Sequence, residues 1–198
     1  MIFNLPTSLT WVRVALVPAL FVLFLLPASM IEPTVRDITA TAMFVAAAVT
    51  DWLDGYLARR LGQESAFGAF LDPVADKLMV AAALIILVAL GRVEAVVAGI
   101  VIGREITISA LREWMAELGA RASVAVSMVG KVKTVAQMVA ISFLLYDAPL
   151  WGLPIHELGT ALVYLAVVLT LWSMAYYLRC AWPLLKAGGR VKGKAADE

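Results

Sequence analysis

The sequence predicts an all-α integral membrane protein of six transmembrane helices with a short N-terminal juxtamembrane segment. Three observations predict it. Of 198 residues, 63% are hydrophobic and 16% charged, whereas a soluble domain is roughly half apolar and a quarter charged. Two runs, Val14 to Ile31 and Leu158 to Leu178, hold no charge over 18 and 21 residues, near the ~20 that cross a bilayer. The remaining charges gather at the ends of further apolar segments.

Taken in order, spans are expected near 9–30, 36–60, 69–90, 93–118, 129–147 and 156–180. The first and last contain the uninterrupted runs. The middle four rest on the shorter charge-free stretches Ile38 to Thr50, Leu78 to Leu90, Ala95 to Gly103 and Thr134 to Tyr146. Each is continued at one end by apolar residues with sparse charges, which reads as a helix whose polar end points into a shared interior. Pro27 and Pro33 bracket the first turn, Gly91 and Arg92 mark the third-to-fourth, and Pro149 and Pro154 the fifth-to-sixth. Residues Ile2 to Thr10 are expected to lie along the membrane surface. Residues 1–185 read as one polytopic catalytic domain, and 186–198, rich in Gly, Ala and charge, as a flexible cytoplasmic tail. No basic region precedes the first apolar run, so no cleaved signal peptide is expected. No internal repeat is visible, so the inverted-repeat signature of many transporters is missing.

A net charge of +1 conceals strong polarity. In this six-span arrangement 14 of the 16 basic residues fall on one side, against Arg36 and Arg92 on the other. The positive-inside rule then places both termini in the cytoplasm. Trp151, Trp172, Tyr176, Tyr177 and Trp182 suit interfacial belts. The 15 acidic residues nearly balance the basic ones, which argues against a nucleic-acid partner. A single cysteine, Cys180, allows no intrachain disulfide, and a single histidine, His156, allows no His-rich metal site. Neither receives a role.

The second span ends in Asp51-Trp52-Leu53-Asp54-Gly55-Tyr56-Leu57-Ala58-Arg59. On a helix, positions 51, 54, 55 and 58 share a face, so two acids and two small residues form one stripe. The third span opens with Gly68, Asp72 and Asp76, four apart and again stacked on one face. A hairpin through 60–67 brings the stripes together. An ionised aspartate at the centre of a membrane helix costs about 2.5–3.5 kcal/mol, so four in register call for compensation by cations. Hard divalent ions prefer oxygen ligands, and a pair of them bridged by carboxylates suits a pyrophosphate. No Cys or His accompanies the acids, which argues against zinc. Taken singly, each acid would read as a helix-end residue paired with Arg59, Arg60 or Lys77.

Written D-x2-D-G-x2-A-R-x8-G-x3-D-x3-D, these residues resemble, without departure, the signature of the CDP-alcohol phosphotransferase family. The resemblance extends through Asn4 to Arg13, Phe67 to Lys77, Arg104-Glu105, Ala110 to Gly119, and Gly130 to Thr134 with Gln137. It implies a six-helix fold with a cytoplasm-facing polar cavity open to lipid in the bacterial inner membrane, and a homodimer. It implies that Asp51, Asp54, Asp72 and Asp76 bind two Mg²⁺ or Mn²⁺ ions and that Asp76 is also the general base. It implies contact of Gly55 and Arg59 with the CDP part of CDP-diacylglycerol, Ala58 giving room; Thr7, Thr10 and Ser65 are weaker candidates for the same site. The activity implied is transfer of the phosphatidyl group to the hydroxyl of glycerol 3-phosphate, with release of CMP.

An acceptor bearing its own phosphate calls for fixed cations. Arg104, Arg112, Lys131 and Lys133 lie on the cytoplasmic halves of the fourth and fifth spans. The plainer alternative makes all four topology determinants. Arg104 and Lys131 are favoured for the phosphate because they lie beside or within apolar segments. Arg112 has Glu105 and Glu113 as alternative partners, and Arg121 reads as loop charge. Two other functions stay open: a family transferase acting on inositol phosphate or serine, and an ion-coupled transporter. The transporter predicts acids at the membrane midplane and broken helices in paired halves, neither of which is evident.

Overall fold

The computed structural model describes residues 5–61, 66–117 and 128–194, and among them it places six helices. These are α1 (Leu5–Leu25), α2 (Pro33–Leu61), α3 (Ala66–Ala89), α4 (Ala95–Glu117), α5 (Met128–Tyr146) and α6 (Ile155–Lys194). Each expected span falls on one helix. Two helices carry windows apolar and long enough to cross a membrane unaided: Ser8–Leu25 in α1 and Ile155–Tyr176 in α6. The other four helices carry charges along their length.

Three boundaries differ from expectation: α1 ends at Leu25, five residues short of the expected 30, and two more lie at the ends of the chain. The segment expected along the membrane surface is, from Leu5 onward, part of α1. Nothing between Leu5 and Thr10 breaks a helix, because Pro6 occupies the first turn, where its missing N–H has no helical partner to lose. At the other end, α6 continues to Lys194, through part of the stretch read as tail. Leu184, Leu185, Lys186 and Ala187 are good helix formers, and they extend the span beyond Arg179.

The turns follow their punctuation. Pro33 is the first residue of α2, where its fixed φ suits a helix start. Gly91 has φ 70°, and its N–H donates to Val88 O at 3.0 Å while Arg92 N–H donates to Leu87 O at 2.9 Å. That pair of bonds is the Schellman closure, which satisfies carbonyls at the end of α3 and aims Arg92 back across the bundle. Within the apolar helices, three hydroxyls are satisfied by the preceding turn: Thr39 donates to Val35 O at 2.7 Å, Thr50 to Ala46 O at 2.8 Å and Ser142 to Met138 O at 2.9 Å.

Helix α3 is the hub, packing against α1, α2, α4 and α5. Its Ala82, Ala83, Leu84, Ile86 and Leu87 are all buried, meeting Leu20 of α1, Phe44 of α2 and Ile141, Leu144 and Leu145 of α5. The α5–α6 pair is also close. A Cβ added to Gly159 would lie 2.9 Å from Leu144 Cγ, so the absent side chain lets these helices approach. Outside this core, Val22, Leu25, Val96, Val168 and Trp172 are exposed, the apolar exterior expected of helices solvated by lipid.

A charged knot closes the end of the bundle away from the aspartates. Arg92 pairs with Asp37, reaches Asp147 at 2.8 Å, and donates to Leu144 O at 3.1 Å and Leu145 O at 3.0 Å. His156 Nδ1 lies 2.5 Å from Asp147 Oδ1, and Arg36 stacks 4.8 Å from the Phe24 ring centroid. Arg36, Arg92 and His156 thus tie the start of α2, the α3–α4 turn, the end of α5 and the start of α6 together.

Candidate active site

The up-down connectivity gathers one set of helix ends. Helices α1, α3 and α5 begin at the same end of the bundle at which α2 and α4 finish. Asp51 comes from the second half of α2, Asp72 and Asp76 from the first half of α3, and Arg104 and Lys133 from the parts of α4 and α5 that face them. Pro73, between the two α3 aspartates, lacks the N–H that would bond Ala69 O.

Helix α1 holds two of the acids. Thr10 Oγ1 donates to Asp72 Oδ1 at 2.6 Å, and the Arg13 guanidinium donates to Asp51 Oδ1 at 2.6 Å. Thr10 and Arg13 are three apart and both are buried, so one face of α1 addresses α2 and α3 together. Asp76 lies within electrostatic reach of Asp51, Arg13, Lys77 and Glu105. Acids from two helices therefore share one neighbourhood, with a buried arginine as their nearest fixed cation.

The second part of the site lies on α4, α5 and α6. Lys133, with 1% of its side chain exposed, bonds its ammonium to Glu105 Oε1. Arg104 donates to the same oxygen at 3.1 Å, and its other terminal nitrogen donates to Ser173 Oγ of α6 at 2.9 Å. Arg112 lies within electrostatic reach of Lys133. Two cations from two helices thus meet on one carboxylate, with a third, Arg112, near Lys133.

Several sequence-predicted residues lie outside what can be described. Asp54, Gly55, Ala58 and Arg59 are in α2, Thr7 in α1 and Lys131 in α5, but their side chains are not among the described ones; Ser65 and Arg121 lie outside the described residues altogether. Among the described residues no group of three His, Cys, Asp or Glu is close enough to hold a metal ion. The donors brought together are nonetheless all carboxylate oxygens, the chemistry that suits hard divalent ions. His156 stands in the knot at the opposite end of the bundle. Three participants carry no site role in the sequence reading: Arg13 enters as topology charge and within the resemblance, Glu105 as a partner for Arg112 and within the resemblance, and Ser173 not at all. Arg13 and Glu105 carried one usable signal, an ionisable residue beside apolar helix.

The family's sequence profile, CDP-alcohol phosphatidyltransferase, matches residues 3–172. The chain belongs to this family. The match takes in α1 to α5 and the first half of α6, and so every carboxylate and cation of the two clusters. A curated relative from Escherichia coli (strain K12), named CDP-diacylglycerol--glycerol-3-phosphate 3-phosphatidyltransferase, is 52% identical over 181 residues, 90% of this chain and 95% of its own. A relative of the same name from Shigella flexneri serotype 5b (strain 8401) matches to the same extent. Arg13 and Glu105 both lie within the stretch that the family profile matches.

Proposed function

We propose that this chain transfers the phosphatidyl group of CDP-diacylglycerol to the hydroxyl of sn-glycerol 3-phosphate, giving phosphatidylglycerophosphate and CMP. The observation that carries the proposal is the pairing, at one end of one bundle, of an aspartate cluster with a buried cation cluster. The first suits a pyrophosphate donor with its counter-ions and the second an acceptor with its own phosphate. The relatives' name, at 52% identity over 90% of the chain, supports glycerol 3-phosphate over inositol phosphate or serine. Family membership also weighs against the ion-coupled transporter.

In the mechanism, Asp51, Asp54, Asp72 and Asp76 would hold two Mg²⁺ or Mn²⁺ ions, whose chemistry would be to neutralise the pyrophosphate and polarise the phosphorus that bears diacylglycerol. Gly55, Ala58 and Arg59 receive the CDP portion, with Thr7, Thr10 and Ser65 at its margin. Thr10 also acts through Asp72, whose carboxylate it holds. The acceptor phosphate is received by Arg104, Arg112, Lys131 and Lys133. Asp76 takes the proton of the acceptor hydroxyl, whose oxygen bonds to the lipid-bearing phosphorus. The bond from that phosphorus to the bridging oxygen breaks, and CMP leaves with the electron pair. Fixing both substrates at one helix-bundle end converts an encounter of two anions into a positioned reaction.

The six helices cross the bacterial inner membrane with both termini and the site facing the cytoplasm, in keeping with the bias of basic residues to that side. Two copies associate as a homodimer. The deciding experiment incubates purified protein with CDP-diacylglycerol, Mg²⁺ and separate alcohols, measuring CMP release. CMP is expected with glycerol 3-phosphate. Release only with inositol phosphate or serine overturns the acceptor, and none with any alcohol overturns the enzyme.

A further inference from the structure

Glu105 occupies an unusual position. Its Oε1 accepts from both Lys133 of α5 and Arg104 of α4, while its charge is felt at Asp76 of α3. With Lys77, one residue after Asp76, it lines a cavity of about 100 Å³ between α3 and α4. Glu105 is therefore the joint between the carboxylate half of the site and the cation half.

A lysine ammonium rides on four rotatable carbons, so a buried lysine holds a definite position only if a fixed acceptor pins it. Lys133 is almost wholly buried and has Glu105 as that acceptor. Arg104 is pinned twice, by Glu105 and by Ser173, whose own hydroxyl donates to Thr170 O at 3.0 Å. Membrane topology requires none of this, because positive-inside counting is indifferent to where a basic side chain points. The carboxylate also does not cancel the site: it pairs with two cations, Arg112 lies near Lys133 as well, and a positive excess remains for an incoming dianion.

We propose that Glu105 is a positioning residue for the acceptor. It sets Lys133 and Arg104 so that an alcohol carrying a phosphomonoester is held with its hydroxyl towards Asp76. Selection for a phosphorylated acceptor then depends on an acidic residue that itself repels phosphate. The inference rests on the reading of this cluster as the acceptor pocket.

The test measures KM for each substrate separately in the full-length, detergent-solubilised enzyme, using Glu105→Gln and Ser173→Ala. Glu105→Gln keeps the size but removes the charge that pins two cations, so KM for glycerol 3-phosphate rises about tenfold or more while KM for CDP-diacylglycerol stays within about twofold. Ser173→Ala leaves every charge in place and loosens only Arg104, so the same KM rises by about two- to fivefold. It also provides the reading if Glu105→Gln does not fold. Inorganic phosphate serves as the probe of the pocket itself. Competitive inhibition of the wild type against glycerol 3-phosphate supports the pocket, and its absence overturns that reading. Competition in the wild type, combined with variants whose glycerol 3-phosphate KM is unchanged or whose two KM values move together, overturns the role of Glu105.

Discussion

Arg13 of α1, with 1% of its side chain exposed, donates to Asp51 of α2 at 2.6 Å, and Asp51 keeps 43% of its own side chain exposed. The pair is asymmetric. A buried cation is fixed to the rear of a carboxylate whose other side remains open. Arg13→Met is therefore expected to lower stability by about 1.5–3 kcal/mol, the range for a hydrogen bond to a charged group. Removing the guanidinium also takes a positive charge from beside Asp51, so the variant is expected to bind Mg²⁺ more tightly than the wild type and the gap in thermal midpoint to narrow as Mg²⁺ is raised. Thermal unfolding in detergent checks this, and a gap that does not depend on Mg²⁺ argues against a metal at Asp51.

Asp76 stands among Asp51, Arg13, Lys77 and Glu105, at the meeting of both halves of the site. Asp76→Asn keeps the shape and removes the proton acceptor. Turnover is expected to fall by about 10²–10⁴-fold while CDP-diacylglycerol binding is largely retained. Near-normal CMP release by the purified variant would remove Asp76 from the role of base.

The all-oxygen donor set makes a prediction about metals. Chelation with EDTA should abolish CMP release, and Mg²⁺ or Mn²⁺ should restore it, because carboxylate sites suit hard ions. Full activity after exhaustive chelation would contradict the two-ion reading.

At the far end of the bundle, Arg92→Met leaves Asp37 and Asp147 without their shared cation and frees two carbonyls at the end of α5. Breaking such a pair by removing one partner costs about 3–5 kcal/mol. Thermal stability should drop sharply, while both KM values of the remaining folded enzyme stay as they are. A large KM change would show that the knot communicates with the site.

Gly159 offers a test of packing alone. Its missing side chain leaves room for Leu144, and Gly159→Val is expected to cost about 1–3 kcal/mol by overpacking. The thermal midpoint records the loss, with turnover per folded molecule unchanged; an unaltered midpoint would mean that α5 and α6 separate freely there.

What the amino-acid order decides unaided is helical identity, the turns and the stripe of acids. Charge-free runs mark the helices, Gly91, Pro33 and Pro154 end or begin them, and a four-residue spacing stacks Asp72 on Asp76 whatever lies around them. These are properties of neighbours along the chain. Which charge meets which was decided by the assembled bundle. Nothing near residue 13 announces Asp51 38 positions later, and Lys133 finds Glu105 across 28 residues only because α4 and α5 present both at one end. A basic residue counted for topology and one that pins a carboxylate look alike in sequence. Only burial, which makes an unpaired charge untenable, separates them.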